Sequence, residues 1–167
     1  QGDAKAQSNL GAMYCNGEGV TQDKAEAVRW YTMAAEQGHA QAQFNLAYMH
    51  YKGEGVDQDK AEAVKWLTLA AELGHVYAQF NLGYMYHKGE GVKKNYTDAV
   101  KWYTKAAEQG DADAQNNLGY MYDNGDGVAQ DKANAKYWST LAAYQGNADA
   151  QSRLDNMNKS NEDDTKK

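Results

Sequence analysis

The stretch Tyr51–Trp66 reads YKGEGVDQDKAEAVKW, a glycine–acid–glycine loop that runs directly into an amphipathic segment. Close copies of this stretch recur at a spacing of 36 residues, with no insertion or deletion. The four tryptophans share one repeat position, and all 16 glycines fall on only four positions. This self-similarity predicts a tandem array of four repeats and a terminal half-repeat, in which each unit packs on its neighbours.

Each repeat predicts two helices. In the first repeat, apolar residues at positions 6, 10, 13 and 14 follow a helical spacing, so we expect helix A at about residues 4–16. Helix B is expected at about residues 23–37, where an acid precedes the first turn and Gly38 follows the last. One repeat cannot cover its own apolar faces, so stability must come from stacked neighbours.

The two ends of the chain carry separate expectations. Gln1-Gly2-Asp3 matches residues 109–111, so the chain begins in register, as a mature form or an excised piece of a longer array would. Near the other end, residues 148–158 predict a capping helix with one polar face, and residues 159–167 predict a disordered tail. The predicted domain covers residues 1–158, with repeats at about 3–38, 39–74, 75–110 and 111–146 and a half-repeat at 147–158.

Composition argues against several classes of partner. The chain has 23 acidic and 17 basic residues and a net charge of −6, whereas nucleic acids and anionic membrane surfaces favour basic patches. Its apolar runs are too short to predict membrane insertion. A single cysteine, Cys15, cannot form an internal disulfide or a cysteine zinc cluster. We predict no metal site and no cofactor.

The repeated glycine loop does not have the pattern of a ligand loop. It lacks the third glycine of a dinucleotide motif and follows a helix, and no G-K-[ST] follows it. In residues 123–128, glycines stand where a calcium loop needs oxygen ligands. We therefore interpret the loop as a hinge: Gly17 ends helix A with a positive φ, Gly19 permits the reversal, and the acid between them lies near the start of helix B.

The repeated pattern A-Q-x-N-L-G-x-M-Y-x-x-G-E-G-V, followed by the A-V-x-W-Y segment of helix B, resembles the SLR family of Sel-1-like repeats. The resemblance implies an all-α, right-handed solenoid of helix-turn-helix repeats whose A helices line the concave side. It also implies an adaptor or scaffold role in a bacterial protein, and a periplasmic or secreted location. The proline often found after the glycine loop is absent, as are the cysteine pairs of the secreted branch, so a disulfide-dependent relative is a poor guide.

Helix A also has a face that varies among the repeats, at positions 5, 8, 12, 15 and 16. By analogy with tetratricopeptide repeats, this face should line the concave groove and bind a partner. The candidate groove residues are Phe44, Tyr48, Tyr51, Lys52, Tyr77, Phe80, Tyr84, His87, Lys88, Asp113, Tyr120 and Asp123. Beside them, Asn45, Asn81 and Asn117 form a ladder that could hold the backbone of an extended peptide or tie helix A to its neighbour.

We predict a non-enzymatic adaptor, favoured as a monomer, that binds a protein or peptide segment in this groove. Aromatic anchors at the centre suit a peptide, with Lys52 and Lys88 favouring an acidic stretch, and Asp113 and Asp123 favouring basic residues. A module for cell-wall glycans is a second hypothesis, since tyrosine rings stack on sugars. An enzyme is disfavoured because no catalytic motif is present. The sequence also leaves open that the solenoid is a passive spacer and that both phenylalanines belong to the core.

Overall fold

Helix starts are fixed by side chains that accept hydrogen bonds from the backbone of the first turn. Asp3 accepts from the N–H of Lys5 at the first helix A, and Asp23 accepts from the N–H of Glu26 at the first helix B. In the second and third repeats, histidine rings replace the acid as the cap of helix A. These caps recur with the repeat, which explains why the helices begin in register.

The computed structural model describes the backbone of residues 2–164 and the side chains of residues 2–159. This part of the chain is all-α, as predicted, and the predicted first helix A is confirmed. Its nine helices are α1 (Ala4–Asn16), α2 (Lys24–Glu36), α3 (Ala40–Lys52), α4 (Lys60–Glu72), α5 (Val76–Lys88), α6 (Tyr96–Glu108), α7 (Ala112–Asn124), α8 (Lys132–Tyr144) and α9 (Ala148–Asp164). They divide into an amino-terminal unit, Gln1–Lys94, and a carboxy-terminal unit, Asn95–Lys167.

The last helix is longer than the predicted capping helix. We expected it to end at Asn158, but the helical backbone of α9 continues through Asp164, into the predicted tail. The other A helices end at a glycine in the left-handed region, whereas the equivalent sequence position here is Asn161. The rest of the predicted tail, residues 165–167, lies outside the described residues.

The glycine loop ends helix A and also joins adjacent repeats. Gly17 has a φ of 76° and donates its backbone N–H to the carbonyl of Met13 at 2.8 Å, as expected for a helix end. The second glycine has a further role: a Cβ on Gly55 would overlap the carbonyl group of Lys24, in the first turn of the preceding helix B. Gly91 contacts Lys60 in the same way.

The acid between the two glycines also contacts the preceding repeat. Glu54 accepts from Lys24 Nζ at 2.8 Å, and Glu90 accepts from Lys60 Nζ at 2.8 Å. We expected this acid near the start of its own helix B, but in both cases it pairs with the first residue of the preceding one. The hinge is therefore also an inter-repeat joint, in which close backbone approach and an ion pair occur together.

The core consists of small residues at helix crossings and large residues between them. Three alanines in each of α2, α4 and α6 are 2% exposed or less, which allows the helices to approach closely. In the amino-terminal unit Tyr31, Leu46 and Met85 are among the large side chains that are 4% exposed or less. Burial of each such side chain stabilises the fold by roughly 1.5–3 kcal/mol.

A ladder of buried glutamines crosses from helix A to the helix before it. Gln43 donates from Nε2 to the carbonyl of Ala35 at 3.0 Å. In two other repeats, the glutamine at this position accepts a hydrogen bond from a second glutamine that lies 30 residues later in the chain. Gln7 accepts from Gln37, and Gln115 accepts from Gln145. For Gln43 that later position is Leu73, which has no donor, and within the described residues the buried Gln43 Oε1 has no hydrogen-bond partner.

Replacing Leu73 by glutamine is expected to stabilise the protein. The new amide would donate to Gln43 Oε1, as Gln37 does to Gln7, and relieve the cost of an unsatisfied buried acceptor, about 1–2 kcal/mol. Leu73 is 58% exposed, so little apolar burial is lost. Denaturant unfolding of Leu73→Gln against Leu73→Ser, which cannot reach the acceptor, provides the measurement. Equal stability of the two variants would contradict the role assigned to this hydrogen bond.

Candidate functional site

A pocket of about 100 Å³ opens between α3 and α5 in the amino-terminal unit. Its floor is formed by the buried side chains of Ala47, Leu67 and Met85, and its other lining residues are partly exposed. Those residues are Phe44, Tyr48, Tyr51, Asn81 and Tyr84. The lining is largely apolar, and aromatic rings supply most of the wall, so the pocket suits an apolar group.

The pocket arises because the second repeat packs its two helices differently from the first. In the first repeat, Tyr31 of α2 lies so close to Gly11 that a Cβ there would be 2.8 Å from the ring. The Tyr31 hydroxyl interacts with the side chain of Asn45 in the next helix A. The second repeat has Ala47 and Leu67 at the positions of that glycine and tyrosine. The added methyl group excludes a ring, and leucine is shorter than tyrosine, which leaves space.

The asparagine next to the pocket makes a different hydrogen bond as a result. Asn81 occupies the position of Asn45, but leucine gives it no hydroxyl partner, and its Nδ2 instead donates to the carbonyl of Tyr77 at 2.7 Å. Among the described residues, no hydrogen bond is made by its Oδ1. Asn81 therefore contributes one polar acceptor to an apolar pocket.

In the carboxy-terminal unit, a third combination of residues occupies the same repeat positions. Ser139 takes the place of the tyrosine, and Arg153 takes the place of the asparagine. Arg153 Nη1 donates to Ser139 Oγ at 3.2 Å and to Asn116 Oδ1 at 2.9 Å. Desolvation by burial lowers the pKa of Arg153. Here the long arginine side chain occupies space that a serine leaves open.

Lysines carry the positive charge at the rim of the pocket. Lys52 Nζ lies 5.9 Å from the ring centroid of Tyr48 and 5.5 Å from that of Tyr51, and Lys88 Nζ lies 5.8 Å from that of Tyr84. Both lysines are exposed, and neither forms an ion pair within the part of the chain that the structure describes. Such cation–π contacts hold each ammonium group near the rim without neutralising it.

A third lysine near the rim is neutralised by its neighbours. Lys60 and the Tyr51 hydroxyl both donate to Glu90 Oε2, at 2.8 and 2.9 Å. The hydrogen bond from Lys60, followed by that from Tyr51, lowers the pKa of Glu90. The carboxylate therefore stays ionised and cancels the charge of Lys60. The remaining positive charge at this rim comes from Lys52 and Lys88, and Lys88 also contributes electrostatically to the lowered pKa of Glu90.

Aromatic side chains extend the apolar surface beyond the pocket. Phe44 stacks on the His75 ring with centroids 4.8 Å apart, and Tyr77 lies 6.3 Å from Phe44. His75 Nδ1 accepts from the N–H of Ala78, and its Nε2 lies 3.2 Å from the Gln41 amide oxygen, so the proton belongs on Nε2. Burial lowers the pKa of His75, which favours this neutral ring. Tyr48 and Tyr77 are 49% and 62% exposed and are available to a partner.

The structure brings only part of the predicted groove together at this pocket. Five of the predicted residues line it, two lysines stand at its rim, and Tyr77 adjoins it through Phe44. Phe80 and His87 lie half-buried on α5 and do not line it. Sequence reasoning missed the floor, Ala47, Leu67 and Met85. The signal that could have found it is the change from tyrosine to leucine at one repeat position.

The remaining predicted residues have local partners. Asp123 pairs with Lys132 Nζ at 2.6 Å, and Asp113 accepts from the Asn147 amide at 3.1 Å. Tyr120 is 42% exposed and lies 5.8 Å below the Arg153 guanidinium. In the asparagine ladder, Asn45 accepts from Gln41 and also interacts with Tyr31, as a structural tie would, and Asn117 is half-buried. These side chains stay predicted binding residues.

A family model described as "Sel1 repeat" matches four consecutive segments, residues 4–39, 40–75, 76–111 and 112–147. The chain belongs to the Sel1 repeat family. The predicted family and the all-α repeat fold are therefore confirmed. Sel1 repeat proteins are generally non-catalytic scaffolds that mediate protein interactions. In the described part of the chain, no helix has the length and apolar character needed to cross a membrane.

Solved structures of other Sel1 repeat proteins resemble this one. A protective antigen of uropathogenic Escherichia coli with an SLR fold is 43% identical, with a TM-score of 0.90, over 92% of this chain and 33% of its own. A Sel1 repeat protein of Oxalobacter formigenes is 42% identical, with a TM-score of 0.89, over 92% of this chain and 63% of its own. The present chain thus covers about a third of the length of the first relative and less than two thirds of the length of the second.

A third solved structure is less similar in sequence. Cysteine rich protein B of Helicobacter pylori is 28% identical, with a TM-score of 0.61, over 83% of this chain and 99% of its own. The present chain has one cysteine, Cys15, which is a free thiol, so no disulfide within the chain joins its repeats. A search of curated proteins found no match.

Proposed function

We propose that this Sel1 repeat chain is a protein-interaction module that binds a peptide segment of a partner across α3 and α5. The observation that supports it most directly is the pocket between these helices, walled by Tyr48, Tyr51 and Tyr84. A few aromatic anchors around a depression commonly supply most of the energy of a protein interface. The family's general role in protein interactions agrees with this assignment.

The tyrosines that form the wall of the pocket are partly exposed, and neighbouring side chains hold their rings in place. Lys52 and Lys88 lie over their rings, and the Tyr51 hydroxyl is held by Glu90. Rings held in this way lose little conformational entropy when a partner binds, which is the usual advantage of a preorganised surface. Asn81 adds an acceptor for a backbone N–H of the bound segment.

Replacing Tyr48 and Tyr84 together by alanine is expected to abolish retention of the partner while the fold is kept. Loss of two anchor rings should weaken binding by about 2–4 kcal/mol, which is on the order of 30- to 1,000-fold. The measurement is quantitative mass spectrometry of proteins retained from lysate by wild type and by Tyr48→Ala/Tyr84→Ala, followed by titration of each candidate in purified form.

The matched control removes two other tyrosines. Tyr137 and Tyr144 of α8 are 56% and 94% exposed and lie outside the pocket, so Tyr137→Ala/Tyr144→Ala deletes the same groups elsewhere. Circular dichroism of all three proteins checks that the helices persist. If the purified partner binds the pocket variant as tightly as wild type, or if the control loses binding equally, the proposed site is wrong.

A further inference from the structure

The size of the pocket limits what side chain can enter it. At about 100 Å³, the space is smaller than the ~150 Å³ cavity that accommodates benzene in another protein. Its floor, formed by Leu67 and Met85, is apolar and almost fully buried. A branched aliphatic side chain fits such a space better than an aromatic ring, and a charged group there would lose its hydration without a partner.

The charge around the pocket limits what can flank that side chain. Lys52 and Lys88 occupy the same position in successive repeats and form no ion pair in the described part of the chain, while Lys24 and Lys60 are paired with Glu54 and Glu90. The chain as a whole carries a charge of −6, so this local excess of positive charge runs against the average. Acidic residues on either side of the anchor would complement it.

Resting on the proposed function, we infer that the occupant is a peptide with one aliphatic anchor residue flanked by acidic residues. The anchor side chain enters the pocket, which exists because the second repeat has Ala47 and Leu67 where the first has Gly11 and Tyr31. The acidic residues of the peptide pair with the two rim lysines. Asn81 Oδ1 accepts a backbone N–H beside the anchor.

The repeats themselves supply a variant that fills the pocket. Ala47→Gly/Leu67→Tyr restores the pair found in the first repeat, where the glycine leaves room for the ring and the hydroxyl interacts with the following asparagine. In this variant the new tyrosine occupies the anchor space and its hydroxyl reaches Asn81. Thermal unfolding should show that the variant folds, because its packing copies that of α1 and α2.

The test is selection from a displayed library of random linear peptides on the immobilised wild-type chain, followed by titration of synthetic copies. We expect enriched peptides to share an aliphatic residue with aspartate or glutamate on both sides. Replacing that residue by alanine, or filling the pocket with Ala47→Gly/Leu67→Tyr, should weaken binding at least about tenfold, the effect of losing one buried aliphatic side chain.

A second pair of variants tests the charge. Lys52→Gln/Lys88→Gln should weaken binding about threefold to tenfold and flatten its salt dependence, since each exposed pair contributes modestly. Arg29→Gln/Lys65→Gln changes the net charge equally but lies on α2 and α4, with both side chains over 70% exposed, and should bind like wild type.

The outcomes separate the inference from the proposed function. Enriched peptides that lack acids or an aliphatic residue, or that bind the filled variant as well as wild type, would overturn the inference while leaving a peptide-binding module. Failure of any peptide to enrich, together with saturable binding of a purified cell-wall glycan, would overturn the proposed function and this inference with it.

Discussion

Replacing Gly55 by alanine is expected to destabilise the protein by about 2–5 kcal/mol. The glycine has a φ of 71°, where a residue with a Cβ is strained by roughly 1–2 kcal/mol. Its Cβ would also overlap the backbone of Lys24, and relieving that overlap means separating two repeats, for a further ~1–3 kcal/mol. Equilibrium unfolding in urea gives the difference in the free energy of unfolding.

The chain contains its own control for this experiment. Gly19 has nearly the same φ, 73°, at the equivalent position of the first repeat, but the nearest atom to its Cβ would be the flexible end of Met13 at 3.4 Å. Gly19→Ala should therefore show the backbone strain without the overlap. If the two variants lose equal stability, the close approach of the loop to the preceding helix B does not contribute to the joint.

Replacing Tyr31 by alanine should destabilise the protein by about 3–5 kcal/mol, the range for losing a large buried aromatic side chain. The ring is 4% exposed and packs against Gly11, which has no side chain to fill the resulting cavity. The change also removes the hydroxyl that interacts with Asn45 in the next repeat. Thermal and urea unfolding provide the measurement, with the exposed Tyr137→Ala as the comparison, which should lose little.

Phenylalanine at the same position separates the ring from the hydroxyl. Burial raises the pKa of Tyr31 to about 12, so the folded state holds this proton after the unfolded chain, with a pKa near 10, has released it. The wild type should therefore lose stability as pH rises from 10 to 12, by on the order of 2 kcal/mol from this group. Tyr31→Phe should lose about 1 kcal/mol at neutral pH and show a shallower alkaline decline. Parallel alkaline curves would contradict this role for Tyr31.

The helical repeat could be predicted from the sequence because its determinants are local. The Leu10 and Met13 spacing, the acid at Asp23 and the glycines that end each helix A all act within one or two turns of where they stand. The sequence does not predict the full length of α9, because residues 159–164 lack apolar periodicity and yet are helical. No glycine stops the helix there, and a helix already nucleated by packing can continue through polar residues.

The candidate site could be predicted only in its outer parts. Alternation of variable and constant positions indicated Tyr48, Tyr84 and the rim lysines, because exposure follows helical periodicity. The pocket depends instead on a matched pair across two helices, Ala47 with Leu67, whose combined volume differs from that of Gly11 with Tyr31. Each change alone looks conservative, and only the packed structure shows the space that remains. The partners of Glu54 and Glu90 were likewise hidden, because they lie 30 residues earlier.

The recurrent separation of 30 residues between these partners affects how the chain folds. Lys24 with Glu54, Lys60 with Glu90 and Gln7 with Gln37 each close a segment of 30 residues. Contacts of such short range demand little loop-closure entropy, and proteins built from them fold quickly for their size. A pair of adjacent repeats is then the smallest nucleus, and growth proceeds by adding one neighbour at a time. Damage to the joint at Gly55 would slow this growth at one boundary, while the repeats that follow it stay able to fold together.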